Sequence, residues 1–340
     1  MHLMNAARRH SRPWGARIGV RRTRTLVGRV VRAFSWGIAA TATVTCTAAA
    51  LQFPDKPLRW ISPYTAGGGS DLTTRAVAQK LSEYLRQPVI VDNRTGASGK
   101  IAVELASRAP ADGYTLVTFT PAIAANQDIS GLAPLTQMTA QGYVWIVHPA
   151  VPALTLMELI ALARAKPGTL HYGSAGIATT PHLAGAMLGA MTKTDLVHVP
   201  YKGGAAALPD LLGGQLQMLP SDMWSAAPHV KSGKARALAV TAAKRSVVFP
   251  DVPTVAEAGV PGYAVENWYG VATHARAPAD IQRLLNRELV RALKAPDISG
   301  RVSQEGSNII GNSVAEFGAI VHDGVQRWRA VAKIAGIKAE

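Results

Sequence analysis

Pro63-Tyr64-Thr65-Ala66-Gly67-Gly68-Gly69-Ser70-Asp71 is the stretch on which the fold of this chain turns. It follows a short apolar run, Leu58-Arg59-Trp60-Ile61, and precedes a segment in which Leu72, Ala76, Val77, Leu81 and Leu85 share one helical face. It is therefore a strand-to-helix turn. Three glycines clear side chains from the bend, and Ser70 or Asp71 can cap the helix. Bare amides and a helix start then converge on one point, which favours an anion. A plain tight turn would use the same glycines, and the two readings weigh equally on these residues alone. Leu72 stands where a dinucleotide fingerprint needs its last glycine, and no G-x-x-x-x-G-K-[ST] occurs here, which argues against a nucleotide phosphate loop.

Outward from this turn, strand-like and helix-like segments alternate. Strands are expected at 58–62, 88–92, 114–120, 144–148, 170–172, 196–199, 216–219, 235–240 and 266–273. Helices are expected at 71–85, 100–107, 156–166, 205–212, from 222 through His229, at 278–294 and at 313–335. A second Gly-rich turn, GSAGIATTPHLAG from Gly173, follows the strand at 170, with Thr179 or Thr180 as cap and Pro181 at the first helical position. Such alternation means an α/β fold with parallel-type sheets and helices on both faces. Ligands on such sheets sit beyond the carboxyl ends of the strands, here at 63–71, 120–126, 173–180 and Ser221-Asp222. Loops gathered from two sheets suggest a cleft between two lobes.

The chain has 340 residues and a formal charge of +15. Nine arginines, with no lysine and no acid, lie in the first 50 residues; the remaining 27 basic residues face 21 acidic ones, a modest +6. The Arg-rich stretch ends at Arg32, an Ala/Thr-rich apolar run covers 33–50, and Ala48 and Ala50 offer a cleavage site. Residues 1–50 thus read as an export signal, by the general rather than the twin-arginine route. A membrane anchor would need about 20 strongly apolar residues; a mitochondrial targeting peptide shares the Arg-rich, acid-poor composition. The one cysteine, Cys46, falls inside this segment, so the processed chain would have no disulfide and no thiolate chemistry.

Asp71 and Asp222 each follow a strand and are helix caps first, acid–base partners or ligand contacts second. Ser174 and Ser98 lack the spacing of a nucleophile elbow and show no evident His and acid partners. An exported hydrolase using Ser174 or Asp71 with Asp222 is the rival reading. The nine histidines show no metal-binding spacing, so neither a metal nor a cofactor is expected. Tyr201-Lys202 reads as a structural turn or a cleft rim. Aromatic and basic residues do not interleave as a nucleic-acid reader requires, and the charge that would suggest one collapses with the first 50 residues.

The turn PYTAGGGSD, then VAQKLSEYLRQPVIVDNRTGASG, APADGYTLV, HVPYKGGAAALPDLLGGQLQML, PHVKSGKARALAVTAAKRS and FPDVPTVAEAGVPGY, resembles the Bug family across 53–338. These are extracytoplasmic solute receptors of the tripartite tricarboxylate transporter type. The resemblance implies a two-lobed Venus-flytrap fold of the periplasmic binding protein type (type II). Lobe one would combine 51–148 with 272–340, and lobe two would be 149–271. It implies a small organic acid held in the interlobe cleft: a di- or tricarboxylate, an amino acid or an aromatic acid. It implies no catalysis, a monomer, and delivery to membrane transporter subunits or a sensing role. Carried over by motif, the ligand-binding residues would be Tyr64, Thr65, Ala66, Gly69, Ser70 and Asp71, with Thr120 and Ala122 after the third strand. Ser174, Ala175, Gly176, Thr179 and Thr180 would join from the second turn, and Asp222 from a later loop. The segment after the third strand, PAIAANQDISGLAPLTQM, is shorter than the family's, and it is expected to open the cleft, change the ligand or disable binding.

Overall fold

The computed structural model describes residues 53–304 and 306–334; the segment 1–50 expected to direct export, the expected cleavage site and Cys46 lie outside the described residues. Strand β1 (Leu58–Ser62) alternates as the pleat requires: Leu58 and Trp60 enter one core and Ile61 another. β1 pairs in parallel with β2 (Val89–Asn93) and β3 (Thr115–Phe119), and β3 pairs antiparallel with β9 (Glu266–His274). Helices α1 (Gly69–Leu85) and α8 (Ala279–Leu293) cover one face with Val77, Leu81, Leu285 and Leu289. On the other face Val103 of α2 (Lys100–Ser107), Ile123 of α3 (Pro121–Asn126) and Phe317 of α10 (Val314–Ile334) meet Val117 and Phe119.

β4 (Leu132–Val147) joins the two halves of the molecule. Its residues 132–142 pair with β9, and Tyr143–Val147 pair with β7 (Met218–Asp222) and β8 (Arg236–Val240). The second sheet continues in parallel from β7 through β5 (Leu170–Ser174) to β6 (Leu196–Pro200). Trp145 and Val147 face α4 (Leu156–Ala165) and α5 (Thr180–Thr192). Val144 and Ile146 face α6 (Gly204–Leu212) and α7 (Met223–Lys231). The fold is thus α/β and two-lobed, each sheet sandwiched between helices.

Most elements lie within a residue or two of the sequence expectation, and β1 and α2 match to the residue. The first twelve residues of β4, the short α3, α9 (Pro296–Gln304) and β10 (Asn308–Ile309) were not expected. β4 begins LAPLTQMTAQG, with a proline and no two-residue apolar alternation. Register shifts between Pro134 and Thr136 and between Gln137 and Thr139 explain both features. In place of an irregular segment after the third strand, residues 121–126 are helical and β4 starts at Leu132, leaving only 127–131 as connection.

Candidate ligand cleft

α1 starts at Gly69, two residues before Asp71. Gly68 is the N-cap and its cap makes no side-chain hydrogen bond. Asp71, in the first turn and 1% exposed, reaches back instead: its carboxylate accepts from the Gly67 amide (3.0 Å), Asn93 Nδ2 (2.8 Å) and Arg75 Nε (3.0 Å). The bond back to Gly67 stiffens the turn, much as the acidic partner of a capping box does. It directs Asp71 away from the cleft.

The anion position at this helix start is taken by the protein itself. A Cβ on Gly69 would lie 2.6 Å from Cγ of Asp222 at the end of β7, so only glycine admits the carboxylate here. Asp222 accepts from the Gly69 amide and, at 2.7 Å, from Tyr269 Oη. Loss of solvent in the closed cleft pushes its carboxyl above the usual carboxylate range, while the two hydrogen bonds pull the other way. The lobes also touch at Gly203, whose backbone (φ 151°) passes so close to Thr65 that a Cβ would lie 2.8 Å from its amide nitrogen. Ser98 Oγ donates to Ile177 O at 2.7 Å, and Asn126 Nδ2 donates to Ala178 O at 3.0 Å. These contacts hold the cleft shut.

Within it lies a cavity of about 30 Å³. Of the residues the sequence proposes, Tyr64, Thr65, Gly69, Ser70, Thr120, Ala175, Thr180 and Asp222 line it. Ala66, Asp71, Ala122, Ser174, Gly176 and Thr179 do not. Ala122 belongs to an apolar contact in which α3 meets Ala178, Leu183 and Trp328. Ser174, fully buried, and Thr179 fold the second turn on itself: Ser174 Oγ accepts from the Gly176 amide (3.1 Å), and Thr179 Oγ1 donates to Gly176 O (2.6 Å). Thr179 is the N-cap of α5, and Pro181 sits second in the helix rather than first.

Sequence reasoning missed Tyr143, Asn267 and Tyr269, which line the cavity from the β4–β9 crossing. Asn267 and Tyr269 stand two apart on one strand face, a period-2 signal that the sequence carried. Burial pushes Tyr64 up to about 12 and raises Tyr143 and Tyr269 well above the usual phenol value, so all three phenols stay protonated near neutrality. The hydroxyls of Thr65 and Ser70 are buried and have no hydrogen-bond partner among the described residues. The first-turn amides of α1 beyond Gly69 and the start of α5 complete a donor-rich wall.

One pairing bears on the hydrolase reading. Ser174 Oγ lies 2.6 Å from His198 Nε2, a partner 24 residues away brought alongside by the parallel β5–β6 register. His198 stacks on His182 with ring centroids 3.7 Å apart, and His182 Nδ1 accepts from the Ala178 amide (2.9 Å). Burial holds both imidazoles down to about 4, with the neighbouring His182 lowering His198 further. Ser174 is 0% exposed, so its hydroxyl faces the turn and not the cavity. Among the described residues no cluster of His, Cys, Asp and Glu could hold a metal.

Two sandwiched sheets joined by crossing strands, closing on a polar cavity, define the chain as a solute-binding protein of the periplasmic type. The tripartite tricarboxylate transporter family receptor profile matches residues 73–337, and the chain belongs to that family. Receptors of this family are periplasmic. Protein BugT of Bordetella pertussis is 30% identical over 311 residues, 88% of this chain and 95% of that protein. Among solved structures, R. palustris Rpa4515 with adipate has a TM-score of 0.81 at 32% identity, covering 84% of this chain and 99% of that one. MatC from Rhodopseudomonas palustris with bound malate has a TM-score of 0.77 at 26% identity, covering 82% and 99%.

Proposed function

We propose that this protein is a non-catalytic receptor that captures a small organic acid in the closed cleft and passes it to membrane subunits of a tripartite tricarboxylate-type transporter, or serves in sensing. The observation that carries this reading is the orphaned pair of buried hydroxyls, Thr65 and Ser70, at the start of α1. Buried polar groups are satisfied as a rule, so two in one cavity point to a polar ligand. Adipate and malate on the two related structures support an acid as that ligand. The ligand-contacting set is Tyr64, Thr65, Ser70, Thr120, Tyr143, Ala175, Thr180, Asn267 and Tyr269, with Asp222 beside it. Lobe one is 51–148 with 272–340 and lobe two is 149–271; the change of β4 pairing from β9 to β7 at Gly142–Tyr143 supports a division near the first boundary. Residues 1–50 direct export and are removed, and the processed protein is a monomer. The burial of Ser174 and the weak basicity of its imidazole partner support the non-catalytic reading. Thermal-shift screening of the processed protein against organic acids tests the reading. Stabilisation by one or a few acids is expected, and a flat response across the panel overturns it.

A further inference from the structure

The two Gly-rich turns that close the cleft share one local geometry. In each, the N-cap is extended (Gly68 φ −82°, ψ 165°; Thr179 φ −82°, ψ 163°) and makes no side-chain cap hydrogen bond. In each, the residue before it is left-handed (Gly67 φ 81°, Ala178 φ 55°). In each, the third helical residue accepts from the amide of that left-handed residue: Asp71 from Gly67 at 3.0 Å, His182 Nδ1 from Ala178 at 2.9 Å. Such a bond resembles the reciprocal half of a capping box, displaced by one residue. The difference between the turns is chemical. A carboxylate accepts in its ordinary ionised state, whereas an imidazole accepts at Nδ1 only while it is neutral. Ala178 also lacks the freedom of glycine at positive φ, so its conformation leans more heavily on the bond to His182.

The second turn carries contacts between the lobes. Ile177 O accepts from Ser98, Ala178 O accepts from Asn126, and the Ala178 methyl sits with Ala122, Ala125 and Trp328. All three depend on the shape of residues 177–178. A proton on His182 Nδ1 would set its N–H against the Ala178 N–H, two donors with no acceptor between them. A proton on His198 does no such harm: Ser174 Oγ, 2.6 Å from His198 Nε2, can accept from it while donating to Gly176 O at 3.0 Å. The groups that face the two rings are few. Tyr172 of β5 lies beside both, its hydroxyl donating to His182 O at 3.3 Å, and each imidazole faces the other. From α10, Trp328 meets Leu183 of α5, and Arg329 is held on Ala125 O at 3.4 Å. Burial depresses both rings, and His182 lowers His198 as well; no charged side chain among the described residues adds to either shift.

We propose that His182 is a positioning residue of the closed cleft: neutral, it holds the second turn in the shape that receives Ser98 and Asn126; protonated, it frees that turn and lets the lobes part. The inference rests on the receptor reading above and deepens it, because it gives that receptor an acid-triggered release. An imidazole held neutral in the closed cleft contributes to closure above pH 6.5, and the contribution is lost as pH falls toward about 4. Asp222 acts in the opposite sense, since its carboxyl is raised in the closed cleft and acid therefore favours closure through it. The two groups are told apart by substitution at His182, which leaves Asp222 in place.

The test reads the distance between the lobes in the ligand-free processed protein. Cys46 is the only cysteine of the chain, so Glu104→Cys and Lys202→Cys, both at exposed positions, place two spin labels without competition once residues 1–50 are removed. Electron–electron double resonance from pH 7 to pH 3.5 compares His182, His182→Asn and His182→Leu in this background, with circular dichroism to separate opening from unfolding. Asparagine keeps an acceptor oxygen and does not titrate; leucine removes the acceptor. With His182 present, the closed-to-open ratio is expected to fall by roughly tenfold or more between pH 6.5 and about 4. His182→Asn is expected to stay closed across that window, and His182→Leu to be open already at pH 7. A distance that does not respond to pH with His182 present overturns the inference. So does the same opening in His182→Asn, a His182→Leu cleft that stays closed at pH 7, or unfolding in place of opening. None of these outcomes needs a bound acid, so each leaves the receptor reading standing; a flat response to the acid panel overturns that reading separately.

Discussion

Replacing Asp222 with asparagine should tighten the binding of small carboxylates. The Asp222 carboxylate already sits on the first amide of α1, so a ligand carboxylate on the neighbouring Ser70 donors would lie roughly 5 Å away. At an effective dielectric of about 20, two unit charges at that distance repel by about 3 kcal/mol. The helix start carries roughly half a positive charge and offsets about half of this, which leaves ~1.5 kcal/mol, or about tenfold in affinity. The asparagine oxygen still accepts from Tyr269, so the local fold should survive. The same repulsion makes wild-type binding proton-linked. Asp222 titrates above the usual carboxylate range, and an incoming anion raises it further. Wild-type affinity should therefore rise as pH falls through that region, with proton uptake on binding. Calorimetry in buffers of differing ionisation enthalpy measures both effects. Tenfold weaker binding by Asp222→Asn, or a wild-type pH profile that the variant reproduces, would refute the reasoning. It would show that Asp222 holds a ligand ammonium or hydroxyl instead.

Gly69→Ala drives a methyl group to within 2.6 Å of Asp222 Cγ, and chemical denaturation should show a loss of about 1–3 kcal/mol, as for an overpacked core. His182 and His198 are held neutral in the fold, down to about 4, while their unfolded-state value is near 6.5. Their contribution is fully present above pH 6.5 and is lost as pH falls toward about 4, so Tm should decline across that window and decline less steeply in a His182→Gln/His198→Gln double variant. Ser98→Ala removes a hydrogen bond made only across the closed cleft, and stopped-flow release should quicken by roughly fivefold, about 1 kcal/mol, with Tm of the free protein nearly unchanged.

The parts of the fold written in local pattern were legible. Trp60 and Ile61 alternate into two cores, the Gly-rich turns end in helices, and Thr155 caps α4 by accepting from the Glu158 amide at 3.2 Å. What was hidden depends on partners far apart in the chain. β4 buries Thr136, Gln137, Thr139 and Gln141, and a run of polar residues gives no strand signal unless β9 is already beside it. The site divides along the same line. Tyr64, Ser70 and Thr180 were found because they belong to turns with sequence signatures. Tyr143 and Tyr269 reach the cavity only through the β4–β7 and β4–β9 registers. Asp71 and Asp222 looked equivalent, yet one braces its own turn and the other crosses to the opposite lobe. The distinction rests on the Gly69 approach, which no local pattern encodes. The Ser174–His198 contact is likewise a product of parallel strand register.

The central claim is that Ser70 and Thr65, at the start of α1, receive an acid in the closed cleft. Calorimetric titration of the processed protein with its best-binding acid, beside a Thr65→Val/Ser70→Ala variant of unchanged fold, tests it directly. The account predicts saturable one-to-one binding by wild type and a loss of roughly tenfold or more in the variant, as two hydrogen bonds to a charged group disappear. Equal affinities for the two proteins would contradict it.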